Sequence, residues 1–137
     1  MHSEIRLKRR VQFYETDMAG IVHFSNYFRY LEEAEHALWR DAGVSITGTP
    51  GIGWPRVGAS FEYHRPLKFA DEFEVHLRVV GKDAQTIRYE GTLTRGETKI
   101  ATGTLVVRCV TKEAGGAMRA ADIPSDIDAL LQVAPEA

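Results

Sequence analysis

From Ile5 to Phe13 the apolar residues Ile5, Leu7, Val11 and Phe13 fall on odd positions and the polar residues Arg6, Lys8, Arg10 and Gln12 on even ones. A period of two predicts a half-buried strand, with Arg9 as the one residue out of pattern. Between Asn26 and Ala42 the period becomes helical: Tyr27, Tyr30, Leu31, Ala34, Leu38 and Trp39 share a face opposite Arg29, Glu32, Glu33, His36 and Arg40. Ser25 is the expected N-cap of this helix and Gly43 its expected C′ residue. After a connection rich in Gly, Pro and Thr (Ser45 to Gly53), alternation returns in four stretches: Val57 to Tyr63, Phe73 to Val80, Ile87 to Thr94 and Leu105 to Cys109. Turn-forming residues at Gly81 to Asp83 and Arg95 to Glu97 separate them. In the tail, Pro124 and Ser125 precede Ile127, Leu130 and Leu131 at helical spacing, which predicts a short closing helix.

The predicted order is therefore strand, long helix, four antiparallel strands and a short helix. Such a set gives an α+β fold in which one five-stranded sheet buries its apolar face against the one amphipathic helix. The chain has 137 residues and no repeat or linker, so a single domain over residues 1–137 is expected. An open sheet leaves edge strands, and pairing or covering them points to a homodimer or homotetramer.

Composition narrows the function. With 44% hydrophobic and 26% charged residues and a mean hydropathy of −0.25, the chain is neither disordered nor membrane-spanning in character. Its net charge of −2, with basic residues scattered among acidic ones, lacks the one-signed stripe that follows a phosphate backbone, so nucleic acid is not an expected partner. Lys8, Arg9 and Arg10 sit inside an alternating strand and read as a solvated face. The lone cysteine, Cys109, cannot form an intrachain disulfide, and Met1 to Arg10 lacks the continuous apolar run of a signal peptide; a cytoplasmic location is expected.

The segment from Tyr14 to Tyr27 carries the candidate chemistry. Asp17 and Gly20 precede the long helix, whose first N–H groups have no intrahelical partners and favour negative charge. Such an end can hold a developing oxyanion while Asp17 acts as nucleophile or general base on the same carbonyl carbon; an Asp in this place also serves as a cap or turn residue. Glu32, Glu33 and Glu35 fall where a solvated helix face is expected. His36, His64 and His76 have no partners at metal-ligand spacing, so no metal site is expected. Ser25 lacks the surroundings of a nucleophile elbow, and Gly48, Gly51 and Gly53 are not followed by the helix a phosphate loop needs. Trp39, Trp54, Phe61 and Tyr63 can line an aromatic pocket or simply fill a core.

The run Asp17, Gly20, Ile21-Val22-His23-Phe24 and Asn26-Tyr27 resembles the signature of hotdog-fold thioesterases, in particular the 4-hydroxybenzoyl-CoA thioesterase family and the acyl-CoA thioesterases associated with the Tol-Pal cluster. The likeness continues through Phe61 to Glu72 and ends at Ile123-Pro124. What it implies is a sheet wrapped around one long helix and hydrolysis of an acyl- or aroyl-CoA thioester without metal or cofactor. Asp17 would be the catalytic carboxylate, with backbone N–H groups at Phe24 and Gly20 polarising the carbonyl. His23, Asn26 and Tyr27 would face substrate, with Arg65, Lys68 and Lys82 toward the phosphates of coenzyme A. Some members carry a histidine where this chain has Phe24, whereas here the histidine, His23, comes one residue earlier. Two other functions remain open at this point. One is a hotdog hydratase or dehydratase, against which Met18-Ala19-Gly20 replaces the Asn-Pro element of the Asp-x-Asn-Pro-x-His arrangement. The other is a non-catalytic partner of an acyl carrier.

Overall fold

A computed structural model describes residues 2–136; Met1 and Ala137, at the ends of the expected domain, lie outside the described residues. The first strand, β1 (Glu4–Arg10), ends earlier than its alternation suggests, because a 3-10 turn (Phe13–Glu15) begins the loop that leads to α1 (Asn26–Asp41). After a short β2 (Ile52–Gly53) come β3 (Arg56–Tyr63), β4 (Glu72–Lys82), β5 (Thr86–Arg95) and β6 (Thr98–Arg108). Then follow β7 (Val110–Lys112), β8 (Met118–Ala120) and the closing helix α2 (Ser125–Leu130). The strands β1, β4, β5, β6 and β3 form one antiparallel five-stranded sheet in that order, and β2, β7 and β8 a separate three-stranded one. This is the hotdog fold, as the sequence led us to expect. The small second sheet was not foreseen, since strands of two or three residues carry no readable period.

Alternation becomes burial wherever α1 covers the sheet. Val75, Leu77 and Val79 of β4, Ile87, Tyr89 and Leu93 of β5 and Ala101, Leu105 and Val107 of β6 meet Tyr30, Leu31, Ala34, Leu38 and Trp39 of α1 in one core. Close approach depends on two cross-strand partners, Gly91 and Gly103. A Cβ on Gly91 would lie 2.2 Å from the Leu31 side chain, and one on Gly103 would lie 2.7 Å from the Phe61 ring. At the sheet edge β3 behaves differently. Its apolar residues Val57 and Tyr63 stay 53% and 45% exposed, because α1 covers little of that end.

Several local expectations change. Arg9 is out of pattern because it turns inward: its guanidinium pairs with Glu15 and Glu33 and lies 4.7 Å from the Tyr30 ring centre. Ser25 does not cap α1 through its side chain; its hydroxyl meets His23 Nδ1 at 2.7 Å. Glu35, expected on the solvated face, is fully buried and ion-paired with Arg56 at 2.5 Å. Among the described residues no helix is long and apolar enough to cross a membrane.

Candidate active site

Between the 3-10 turn and α1 the chain makes a small hairpin. Thr16 bridges Val22, the Asp17 N–H donates to the Ile21 carbonyl (2.9 Å), and the Gly20 N–H donates to the Asp17 carbonyl (2.9 Å). Gly20 allows this turn by taking φ +82°, where an L side chain is strained even though nothing crowds its Cβ position. The hairpin presents Asp17 half-buried, with its Oδ1 accepting from the Ala19 N–H at 2.8 Å.

Asp17 lines a cleft of about 430 Å³ with Val22, Phe24, Tyr27, Tyr63, His64 and Arg65. It is mostly apolar-walled and opens beside β3. Tyr27 and Tyr63 meet edge to face at 4.9 Å, and the Tyr63 hydroxyl donates to the Phe24 carbonyl at 3.0 Å. Burial pushes both phenols above their usual range, so they remain protonated donors at neutral pH. A larger hollow of about 730 Å³ lies across the ends of β1, β4 and β5. Its Arg10 and Glu72 pair with each other and its Glu74 pairs with Arg6, and neither Asp17 nor the start of α1 borders it. Chemistry therefore points to the smaller cleft.

The two backbone donors named from the sequence part company. The Gly20 N–H is spent within the hairpin turn, which corrects its assignment as an oxyanion donor. The Phe24 N–H, at the entry to α1, has no partner among the described residues, and Phe24 lines the same cleft as Asp17. Of the expected substrate contacts, Tyr27 and Arg65 border the cleft. The Asn26 amide is turned away and donates to the Glu15 carbonyl at 2.9 Å, and His23 is exposed, stacked on Phe24 at 4.6 Å. Lys68 is exposed and joins this region through its backbone bridge to Ile21. Lys82 lies elsewhere: its ammonium donates to the carbonyls of Asp128 and Leu131 at the end of α2 and pairs with the Asp128 carboxylate, so it is a cap for that helix. No group of His, Cys, Asp and Glu among the described residues is placed to hold a metal.

His64 and Pro66 were not singled out as site residues; they enter because the crossing from β3 to β4 folds back over the hairpin, where the Val22 N–H donates to the Leu67 carbonyl at 2.8 Å. That contact joins residues far apart in sequence, and no local pattern announces it.

Residues 11–131 match the family model of the thioesterase-like superfamily. The chain belongs to that superfamily. A gentisyl-coenzyme A thioesterase is similar in structure, with a TM-score of 0.81 and 25% identity over 90% of this chain and 99% of that one. A hypothetical protein from Aquifex aeolicus has a TM-score of 0.86 and 33% identity over 93% of this chain and 99% of that one. In sequence, a 1,4-dihydroxy-2-naphthoyl-CoA hydrolase from Parasynechococcus marenigrum is 33% identical over 84 residues, 54% of this chain and 55% of that protein. The matches to curated relatives at 33% and 50% identity span little more than half of those relatives' length, 55% and 58%.

Proposed function

We propose that this member of the superfamily is an acyl-CoA thioesterase, hydrolysing an acyl- or aroyl-coenzyme A to the free acid and coenzyme A thiol. The observation that carries the reading is that Asp17 and Phe24, whose N–H has no partner among the described residues, border one apolar-walled cleft. The Phe24 N–H donates to the thioester oxygen as negative charge develops on it, a contribution of about 3 kcal/mol for one preorganised donor. Asp17 acts on the carbonyl carbon directly or by removing a proton from water; the C–S bond breaks, the thiolate takes up a proton, and one water is consumed for each acid formed. Arg65, an exposed arginine that lines the cleft, is the cation offered to the coenzyme A phosphates. The named CoA thioesterase and CoA hydrolase among the similar proteins support this class of substrate.

The reading includes a homodimer or homotetramer, supported by the edge position of β3 and its exposed Val57 and Tyr63. Light scattering should give no less than twice 15.3 kDa. Thiol release from a panel of aroyl- and acyl-CoA esters tests the activity itself. Turnover that survives EDTA is expected. An altered acyl group with the thioester intact would instead indicate a hydratase, and silence on every ester a non-catalytic acyl-carrier partner.

A further inference from the structure

The hairpin carrying Asp17 has little apolar anchorage. Phe13, Tyr14, Met18 and Phe24 are 74%, 79%, 106% and 62% exposed, and Val22 is the hydrophobic residue of the loop that enters the core. What fixes the two arms is Glu15. Its carbonyl accepts the His23 N–H (2.9 Å) and the Asn26 amide (2.9 Å), so one peptide oxygen holds the return arm next to Phe24. Its side chain, only 7% exposed, ties the outgoing arm, two residues before Asp17, to the body of the fold. The carboxylate accepts both Nη groups of Arg9 at 2.8 and 2.6 Å, the Gln12 N–H at 2.8 Å and the Tyr30 hydroxyl at 3.1 Å. Arg9 is in turn gripped by Glu33 on α1 at 2.6 Å.

We propose that Glu15 is a positioning residue for thioester hydrolysis, setting the place of the Asp17 carboxylate relative to the Phe24 N–H by clamping both arms of the hairpin to β1 and α1. This rests on the catalytic reading of Asp17 and Phe24. Displacing a reacting group by about 1 Å can cost on the order of 10²-fold in rate; the Leu67 carbonyl and Lys68 backbone hold the return arm at Val22 and Ile21, while the Glu15 carboxylate ties the outgoing arm, next to Asp17, to β1 and α1. Tyr27, Tyr63, His64 and Arg65 of the cleft wall lie outside the hairpin and remain in place when the clamp loosens, so the larger effect should fall on turnover.

The experiment compares kcat and KM for thiol release by wild type, Glu15→Gln and Glu15→Asp, each normalised to folded protein. Glu15→Gln retains size but sets an amide against the Arg9 guanidinium; kcat should fall roughly 10- to 100-fold with KM within about threefold, and Glu15→Asp, which keeps the charge, should recover part of the loss. In the Asp17→Asn background, Glu15→Gln should add less than about twofold, because groups acting as one unit are not additive. A wild-type kcat for folded Glu15→Gln, or a full multiplicative loss on top of Asp17→Asn, would overturn the positioning role. Should Glu15→Gln fail to fold, Asn26→Ala carries the test through the same carbonyl: a roughly threefold or greater fall in kcat at constant KM supports the role, and an unchanged kcat overturns it. Wild-type turnover by Asp17→Asn alone would remove the catalytic reading itself, whereas an impaired Asp17→Asn beside an unaffected Glu15→Gln removes only the clamp.

Discussion

Two arginine–carboxylate clusters flank α1 and look alike on paper. In one, Arg9 of β1 bridges buried Glu15 and more exposed Glu33, with Tyr30 alongside. In the other, Arg56 of β3 bridges buried Glu35 and more exposed Glu32, near Tyr89, whose hydroxyl accepts the Trp39 indole N–H at 2.9 Å. Their buried carboxylates nevertheless shift in opposite directions. Glu15 is desolvated, but Arg9, the Gln12 N–H and Tyr30 more than offset that and lower its pKa. Around Glu35 enclosure is complete, and desolvation outweighs Arg56 and raises its pKa. The lesson is that a buried ion pair has no fixed meaning: the balance between enclosure and the donors on the carboxylate decides whether it is a settled anion or a strained one. The first cluster anchors the loop that carries Asp17. The second buries Glu35 against the core, away from the cleft.

The contrast is broken most sharply at Arg56. Arg56→Met strands Glu35 among apolar neighbours and should cost about 3–5 kcal/mol of unfolding free energy in urea titration, with the deficit shrinking in acid as Glu35 takes up a proton. Arg9→Met leaves Glu15 with the Gln12 N–H and the Tyr30 hydroxyl, so the loss there should be smaller, about 1–3 kcal/mol. Its larger consequence should be on turnover.

The pH dependence of stability should separate the two carboxylates by sign. A lowered pKa in the folded state means that Glu15 stabilises above its unfolded value, about 4.3, and that this contribution disappears as pH falls through the folded value. A raised pKa does the reverse: the Glu35 contribution is full below the unfolded value and is lost as pH rises through the folded one. In thermal melts from pH 7 to pH 3, the advantage of wild type over Glu15→Gln should shrink. Over the same range the difference between wild type and Glu35→Gln should move in favour of wild type. Parallel trends would mean the two sites are electrostatically equivalent. Smallest of all should be Glu32→Gln and Glu33→Gln, whose partly exposed side chains predict changes below about 1 kcal/mol.

The same pair of clusters shows where sequence reading reaches its limit. The strand and helix periods revealed the sheet and α1 because burial on one face repeats along an element. Asp17 stood out as a candidate because a carboxylate, a tight turn and a helix start are adjacent in sequence, whereas Phe24 was named only through the family resemblance. Glu15 and Glu35 did not stand out. A carboxylate beside apolar neighbours reads as solvated until the arginine that buries it is brought from another strand, Arg9 from β1 or Arg56 from β3. Arg9 did leave a trace, as the single break in the β1 alternation. Lys82 misled for a related reason, since α2 and its carbonyls reach it across 46 and 49 residues of chain.

The central claim is that Asp17 performs hydrolysis beside the Phe24 N–H. The most direct measurement is single-turnover thiol release by Asp17→Asn on the best ester of the panel, with folding checked by thermal melt. A loss of roughly 10²-fold or more in rate with the melting temperature preserved is the predicted result. A folded Asp17→Asn protein releasing thiol at the wild-type rate would contradict the account.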